Sequence, residues 1–250
     1  MKLTDKNRWR YKQEDVTIKN LDLIKSREEW LKVVKKYVPS SEMSYLELGC
    51  APGQYSAALT QDTNWDVAGL DYSDDAEVFI KTMSLVNKEA RLFKIDMFNE
   101  RLDELFDIVI SVGLVEHFRG DKLEEVFALH DSYLVNGGYL IIQMPNFTGA
   151  NYFWHYLFDR PDLDNHNIDV MQPKALEWYS DKGYEILFND YVGPLRFWGA
   201  TSWSHITVIS KMVALLGIAI SKFSLILDKI GLGLRGRTWS PGILLIAKKK

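Results

Sequence analysis

Apolar runs of strand length alternate with segments of helical pattern from about Ser44 onward. Several runs are nearly continuous in apolar residues, which is typical of strands buried on both faces of a parallel sheet. The predicted strands span residues 44–48, 66–71, 91–96, 106–112, 138–144, 184–192 and 243–248. The predicted helices span residues 26–37, 54–61, 74–86 and 121–134. Because strands and helices alternate, the sequence predicts a doubly wound sheet of the α/β class.

The composition is that of a globular protein with a substantial core, since 47% of the 250 residues are hydrophobic and 26% are charged. The formal net charge is -4 and no basic stripe is present, which argues against a nucleic-acid partner. Cys50 is the one cysteine, so no internal disulfide forms. Together with the polar segment 1–10, which lacks an apolar leader, this favours a reducing cytoplasm.

One apolar segment, residues 212–221, raises the question of a membrane. It lies between Lys211 and Lys222 and has about half of the roughly 20 apolar residues that a membrane span requires. We expect residues 204–230 to form a helical insertion that is buried in the domain or in a homodimer contact. A peripheral membrane contact is the alternative.

Glycines and polar residues follow the predicted strands at their carboxyl ends, where open α/β sheets bind ligands. The first strand is followed by Gly49-Cys50-Ala51-Pro52-Gly53. Gly49 allows a sharp turn, and Gly53 allows the backbone to approach a ligand closely. A dinucleotide fingerprint would need glycine at positions 51 and 54, which hold Ala51 and Gln54. No Gly-Lys-Ser/Thr follows that would complete a phosphate-binding P-loop.

Asp71 narrows the choice of ligand. It ends the second predicted strand, about 20 residues beyond the glycine loop, where a carboxylate can accept both hydroxyl groups of a ribose. The other strand exits carry Tyr72, Asp96-Met97, Ser111, Gly113, Glu116-His117 and Asn146. A nucleoside-like ligand at this edge of the sheet is therefore expected.

Five motifs, in order, resemble those of class I S-adenosylmethionine-dependent methyltransferases of the small-molecule type. They are Glu47-x-Gly49-x-Ala51-x-Gly53, Gly69-Leu70-Asp71-Tyr72-Ser73, Ile95-Asp96-Met97, Phe106 to Ser111 with Val115-Glu116-His117, and Leu134-x-x-Gly137-Gly138-x-Leu140. Ala51 replaces the middle glycine of the family's first motif. The resemblance implies a Rossmann-like methyltransferase fold with a mostly parallel seven-stranded sheet whose last strand is antiparallel.

We expect one methyltransferase domain over residues 1–250 with four parts. They are an N-terminal helical cap (1–43), a cofactor-binding core (44–145), an aromatic lid insertion with a helix (146–183), and the last two strands (184–250) with the helical insertion (204–230).

The resemblance implies S-adenosyl-L-methionine as the cofactor and assigns roles to residues at the strand exits. Glu47 and the backbone of the Gly49–Gly53 loop, including Cys50 and Ala51, would hold the methionine portion. Asp71 would bind the ribose, with Tyr72 alongside the adenine. Asp96 would meet the adenine amino group, and Met97 would pack against the ring. Ser111 and Gly113 would line the floor near the sulfonium.

The fourth strand also bears on the acceptor. Methyltransferases that act on DNA amino groups have Asn/Asp-Pro-Pro-aromatic at the place that reads Ser111-Val112-Gly113-Leu114 here, which again argues against nucleic acid. Some small-molecule O-methyltransferases carry a Glu three residues before their Glu-His pair and bind a divalent metal. That position is Gly113 here, so we expect no metal.

Histidine is the first candidate for a base, because a hydroxyl acceptor gains from a base of near-neutral pKa while the sulfonium methyl is already activated. We predict His166, in the polar patch 164–167, as a base or a substrate ligand, and His117 as a second catalytic residue. The alternative for His117 is a packed residue at the start of a helix. His205 is a further candidate, and His130 is expected to be structural or exposed.

Aromatic residues crowd the segment that follows the fifth strand, which should overhang the cofactor. We predict that Asn146, Tyr152, Trp154 and His155 contact the substrate. Trp9 and Tyr11 are candidates to close the pocket from the N-terminus.

The favoured function is transfer of a methyl group to a small or saccharide-like acceptor, on oxygen. The asparagine-rich segment at His166-Asn167 and the strand exit Tyr191-Val192-Gly193 look like those of bacterial methyltransferases of surface-polysaccharide pathways. One alternative is a non-catalytic module that binds the cofactor or a partner. Another is a protein or peptide methyltransferase with residues 212–220 as its docking surface.

Overall fold

The computed structural model describes residues 16–158, 160–197 and 208–250. A seven-stranded sheet has the order β3-β2-β1-β4-β5-β7-β6. Its strands are β1 (Met43–Leu48), β2 (Trp65–Leu70), β3 (Ala90–Phe93), β4 (Phe106–Val112), β5 (Leu134–Pro145), β6 (Glu185–Val192) and β7 (Gly242–Lys248). Strand β7 is antiparallel to both of its neighbours, whereas β1 to β5 pair in parallel. The predicted fold class is confirmed.

Helices cover the sheet on both sides. They are α1 (Ile18–Arg27), α2 (Glu29–Tyr37), α3 (Gln54–Thr60), α4 (Val78–Ser84), α5 (Asp121–Ser132), α6 (Gly149–Phe158), α7 (Arg160–Asn165), α8 (Trp178–Asp181) and α9 (Val208–Lys229). Short 3-10 turns lie at Val115–His117, Ile168–Val170 and Pro173–Glu177. No helix among the described residues is long and apolar enough to cross a membrane.

Alternate residues of the central strands pack into two separate apolar cores. In β1, Leu46 and Leu48 belong to the core under α5 and α8, whereas Tyr45 belongs to the core under α2 and α3. Both sets are fully buried. The continuous apolar runs in the sequence therefore arise because these strands have no solvent-facing side.

Two predicted helices differ from the observed ones. The predicted helix 26–37 is interrupted at Glu28, whose backbone is extended. Its N–H caps α1 on the Ile24 carbonyl at 2.8 Å, and its carboxylate pairs with Arg196 at 2.7 Å. The predicted helix 74–86 is reduced to α4, because the preceding residues form turns at the exit of β2.

Two predicted strands also differ. Strand β3 ends at Phe93, so Asp96 lies in the loop beyond the strand. Strand β5 begins at Leu134, so Asn136 and Gly137, which precede the predicted strand 138–144, belong to it. The left-handed backbone of Gly137 coincides with a shift in register between β4 and β5. The glycine thus causes an irregularity within β5, and the strand continues through it.

The strand order reverses between β1 and β4, which are hydrogen-bonded neighbours that lead to helices on opposite sides of the sheet. A crevice therefore opens between the loops that follow these strands, and ligands of open α/β sheets bind there. Helices α6 and α7 follow β5 at this same edge. The division of the chain into four parts within one domain stays a prediction.

Candidate active site

The loop after β1 is fixed to the end of β2. The N–H groups of Gly49 and Cys50 both donate to the carbonyl of Leu70, at 2.8 and 3.2 Å. Gly49 and Gly53 have φ values of 68° and 86°, in the left-handed region that favours glycine. Gly53 is also the N-cap of α3. The prediction that these two glycines form a tight turn from strand to helix is confirmed.

Asp71 joins the loops after β1 and β2 through its carboxylate. One oxygen, Oδ2, accepts the N–H of Ala51 at 3.0 Å, and Oδ1 accepts the N–H of Ser73 at 2.8 Å. The side chain is only 9% exposed. Because a carboxylate oxygen can accept two hydrogen bonds, each oxygen keeps capacity for a ribose hydroxyl. This arrangement fits the ribose role that the resemblance implies.

Glu47 is a buried carboxyl group below the same loop. Ser56 donates its hydroxyl to Glu47 Oε2, and the Ser56 hydroxyl lies 2.6 Å from that of Tyr45. Burial raises the pKa of Glu47 to about 8. The cationic amino group of a bound methionine moiety would favour the ionised carboxylate, so the site fits that end of the cofactor.

The exits of β2 and β3 supply the residues predicted to face adenine. Tyr72 is half-buried beside Asp71, and Met97 is buried. The half-buried Asp96 accepts the N–H of Phe98 at 3.0 Å and the side-chain amide of Asn99 at 2.7 Å. These contacts fix the orientation of the carboxylate, and its role toward adenine stays a prediction.

Ser111 points away from the crevice, which corrects the prediction that its side chain lines the floor. Its fully buried hydroxyl lies 2.9 Å from His130 Nε2, and His130 Nδ1 donates to the Val126 carbonyl at 2.7 Å. Burial lowers the pKa of His130 to about 4, so this histidine is neutral and structural. Gly113 lies at the exit of β4 with a φ of 69°.

The turn Val115–His117 meets the segment after α7 at the exit of β4. The N–H of Asn167 donates to the Glu116 carbonyl at 2.6 Å, and Arg119 donates to the His166 carbonyl at 2.7 Å. As a result, the rings of His117 and His166 lie 4.6 Å apart, measured between centroids. The structure therefore brings both predicted catalytic histidines together, although 49 positions separate them in the sequence.

Glu116, next to His117 in this turn, has a buried side chain. Its side chain is 1% exposed, and burial raises its pKa to about 8. The oxygen Oε2 has no hydrogen-bond partner among the described residues. A buried carboxylate oxygen of this kind calls for an explanation, because unpaired polar atoms are costly in a protein interior.

A crevice opens beside His166, with walls of mixed polarity. Its charged and polar residues include Arg119, Asp164, Asn167 and Asp169, and Tyr152 adds an aromatic ring. Arg119 and Asn167 were not among the predicted site residues. Their position follows from the packing of α7 on the turn after β4, and no local sequence pattern signals it.

The four predicted substrate contacts divide into two groups. Tyr152 lines the crevice, whereas Trp154 is buried between α6 and α9, where its ring stacks on Phe197 at 4.5 Å. The amide of Asn146 is also consumed internally, since it donates to the carbonyls of Arg237 and Ser240 at 3.0 and 2.8 Å.

We therefore correct Trp154 and Asn146 to structural roles. His155 is buried against Phe147, with ring centroids 3.9 Å apart. Cys50 is buried as well, so its side chain packs in the core while its backbone belongs to the loop. The candidates Trp9, Tyr11 and His205 lie outside the described residues.

A family of sequences described as "Methyltransferase domain" matches residues 23–187. This range contains every strand from β1 to β5 and the loops described above. The chain belongs to this methyltransferase family. S-adenosylmethionine is therefore its expected cofactor, in agreement with the acidic residues and glycines at the strand exits. No curated protein sequence matches the chain significantly.

Solved structures of methyltransferases share the fold. A putative methyltransferase from Bacillus halodurans C-125 is similar at a TM-score of 0.59 and 17% identity, over 88% of this chain and 97% of that one. A SAM-dependent methyltransferase from Archaeoglobus fulgidus is similar at a TM-score of 0.55 and 18% identity, over 92% of this chain and 94% of that one. TehB from Haemophilus influenzae is similar at a TM-score of 0.51 and 17% identity. The match covers 89% of this chain and 62% of TehB.

The buried carboxyl of Glu47 predicts how pH affects cofactor binding. Because its pKa is about 8 in the free protein and an ammonium group lowers it in the complex, binding releases a proton from Glu47. Affinity for S-adenosylhomocysteine should rise between pH 6 and 8, and calorimetry in buffers of different ionisation enthalpy should detect the released proton. The Glu47→Gln variant should bind more weakly and lose this part of the pH dependence. An unchanged pH dependence in the variant would contradict the assignment.

Proposed function

We propose that this methyltransferase transfers the methyl group of S-adenosylmethionine to a hydroxyl oxygen of a small, saccharide-like acceptor. The observation that carries the proposal is the pair His117 and His166 at the exit of β4, beside a crevice with polar walls. The exit of β4 adjoins the glycine loop across the point where the strand order reverses. An acceptor hydroxyl held at His166, the residue of this crevice that contacts His117, would therefore lie on the side of the proposed cofactor site.

The walls of the crevice suit a hydroxylated acceptor. Arg119 offers hydrogen-bond donors, since its bond to the His166 carbonyl uses only part of the guanidinium, and the carboxylates of Asp164 and Asp169 offer acceptors. The ring of Tyr152 adds an apolar surface against which a sugar ring can pack. An acceptor with several hydroxyl groups would use both kinds of group, whereas an apolar acceptor would leave them desolvated and unpaired.

The hydrogen bonds of His166 leave it able to take a proton. Its Nδ1 lies 2.6 Å from the carbonyl of Asp162 and must donate to it, so Nε2 of the neutral ring carries the lone pair. During transfer the acceptor oxygen forms a bond to the methyl carbon, and the bond from that carbon to sulfur breaks. The hydroxyl proton passes to a base, and S-adenosylhomocysteine leaves as the other product.

A panel of acceptors tests the proposal. Transfer of a labelled methyl group should occur to one or more saccharides, and not to amines or carboxylates of similar size. The His166→Gln variant should reduce kcat by about a hundredfold or more while its affinity for S-adenosylhomocysteine stays unchanged. The Glu124→Gln variant, altered at an exposed position of α5, serves as the control. Methyl transfer to no saccharide, with the cofactor bound, would contradict the proposal.

We also propose that this methyltransferase contacts an anionic lipid surface through α9. The described side chains of α9, with Ile230 directly after it, leave a broad apolar face exposed, which we call the α9 face: Met212, Leu215, Leu216, Phe223, Ile226 and Ile230. The opposite side of the helix packs on α6, where Gly217 lies directly against the ring of Trp154. The α9 face is therefore an outer surface of the molecule.

The charges and aromatic residues around the α9 face favour lipid as its partner. Lys222 and Lys229 are exposed and lie together along one border of the face, because they are seven residues apart on the helix. On α6, Phe153 and Tyr156 are also exposed, and Tyr152 of the same helix lines the crevice. An amphipathic helix with lysines at its border is typical of an interfacial contact. An acceptor anchored in lipid would then reach the crevice from the membrane.

Vesicle sedimentation tests this contact. The full chain should bind vesicles of equal parts phosphatidylglycerol and phosphatidylcholine, and salt should weaken the binding. Changing Leu216 and Phe223 to Glu should abolish binding, because it places two negative charges in the apolar face at side chains that are more than half exposed. Leu105→Glu, at an equally exposed leucine remote from α9, should have no effect. Absence of vesicle binding would contradict the proposal, as would a dimer in solution that the double variant dissociates.

The proposed location in the cell is the cytoplasm. The grounds are the single cysteine, which is buried and makes no disulfide, and the expected use of S-adenosylmethionine.

A further inference from the structure

We propose that Glu116, His117 and His166 form a binding site for a divalent transition-metal ion, such as Zn²⁺ or Mn²⁺, that holds hydroxyl oxygens of the acceptor. The proposal rests on the function proposed above for the same crevice. One carboxylate oxygen of Glu116 and one ring nitrogen from each histidine lie within 4.8 Å of one another. Small side-chain movements would bring all three atoms to bonding distance from one ion.

The buried carboxyl group of Glu116 points independently to a ligand. The side chain is almost fully buried, and its Oε2 has no hydrogen-bond partner among the described residues. Coordination of a cation would satisfy this oxygen and offset the cost of its burial. Nearby cationic side chains do not supply this compensation, since Arg119 donates to the His166 carbonyl instead.

His166 is held as a metal-ligating histidine usually is. A ligating imidazole commonly donates its second N–H to a carbonyl or carboxylate, which fixes the ring and its tautomer. His166 does so through Nδ1, which lies 2.6 Å from the Asp162 carbonyl, and this leaves Nε2 for a metal. The backbone bonds between Asn167 and Glu116 hold the two ligand-bearing segments together.

The donor set decides the class of ion. Two imidazole nitrogens and one carboxylate suit Zn²⁺, Mn²⁺, Fe²⁺ or Co²⁺, whereas Mg²⁺ and Ca²⁺ prefer sites made of oxygen atoms. Three protein ligands also leave positions open on the ion. Gly113 adds no side chain beside Glu116, because a Cβ built there would lie 3.5 Å from Glu116 Oε1. The open positions can therefore accept oxygen atoms from an acceptor in the crevice.

This inference differs from the expectation of no metal. That expectation rested on Gly113, where some O-methyltransferases carry a Glu. Here the third ligand comes from His166, on the segment after α7. With an ion present, His117 and His166 would hold the metal instead of one of them acting directly as a base. The metal would favour ionisation of the bound hydroxyl, and the hydroxyl proton would pass to water.

Metal binding itself provides the test, with tag-free full-length protein stripped by a chelator. Titration with Co²⁺ and with Zn²⁺, followed by metal analysis after dialysis, should give about one ion per chain. Bound Co²⁺ should show visible absorption bands of a nitrogen- and oxygen-ligated site. Glu116→Gln and His166→Gln should each lower the Co²⁺ affinity by about tenfold to a hundredfold. Glu124→Gln, on the exposed side of α5, should bind like the unaltered protein.

Affinity for S-adenosylhomocysteine and the circular dichroism spectrum show whether each variant is folded, because the proposed cofactor residues are separate from the three ligands. Failure of the unaltered protein to bind Co²⁺ or Zn²⁺ would overturn the proposal. The proposal would also be overturned if the folded variants bound Co²⁺ with the same affinity as the unaltered protein. If the metal binds but no saccharide is methylated, the function proposed above fails and the metal site stands. If methylation proceeds fully in the presence of chelator, only the metal proposal fails.

Discussion

The carboxylate of Asp71 holds the cofactor side of this methyltransferase together. Its two oxygens accept the N–H groups of Ala51 and Ser73, so one side chain fixes the loops after β1 and β2 relative to each other. Hydrogen bonds to a charged acceptor contribute about 1.5–3 kcal/mol each, which is enough to select one loop arrangement. The N–H of Asp71 also donates to the Phe93 carbonyl at 3.1 Å, so the same residue ties the glycine turn to the end of β3.

The strand exits that carry the proposed cofactor residues were predictable from the sequence, because these residues follow strands in a fixed order. A parallel sheet places every strand's carboxyl end on one edge, so Asp71, Asp96 and Gly113 had to lie near Gly49. Exact strand ends were less predictable: β3 stops before Asp96, and Gly137 lies within β5. Side-chain directions were not predictable either, since Ser111 turns to His130 inside the core.

The acceptor side depends on contacts between distant segments, which no local pattern encodes. Asn167 and Arg119 join the turn after β4 to the segment after α7. That contact brings His166 next to His117 and gives the buried Glu116 two imidazole neighbours. The same insertion carries α6, whose inner residue Trp154 packs against α9 while Tyr152 faces the crevice. One inserted segment thus links the crevice, the proposed metal site and the α9 face.

Measuring the affinity of Asp71→Ala for S-adenosylhomocysteine by calorimetry tests the central claim, that Asp71 organises the cofactor site, most directly. The variant should lose about tenfold to a hundredfold in affinity, because it removes a ribose acceptor and the bond that fixes Ala51. Asp103→Ala, at an exposed aspartate, should bind normally, and circular dichroism should show that both variants are folded. Unchanged affinity in a folded Asp71→Ala variant would contradict the assignment of the cofactor site.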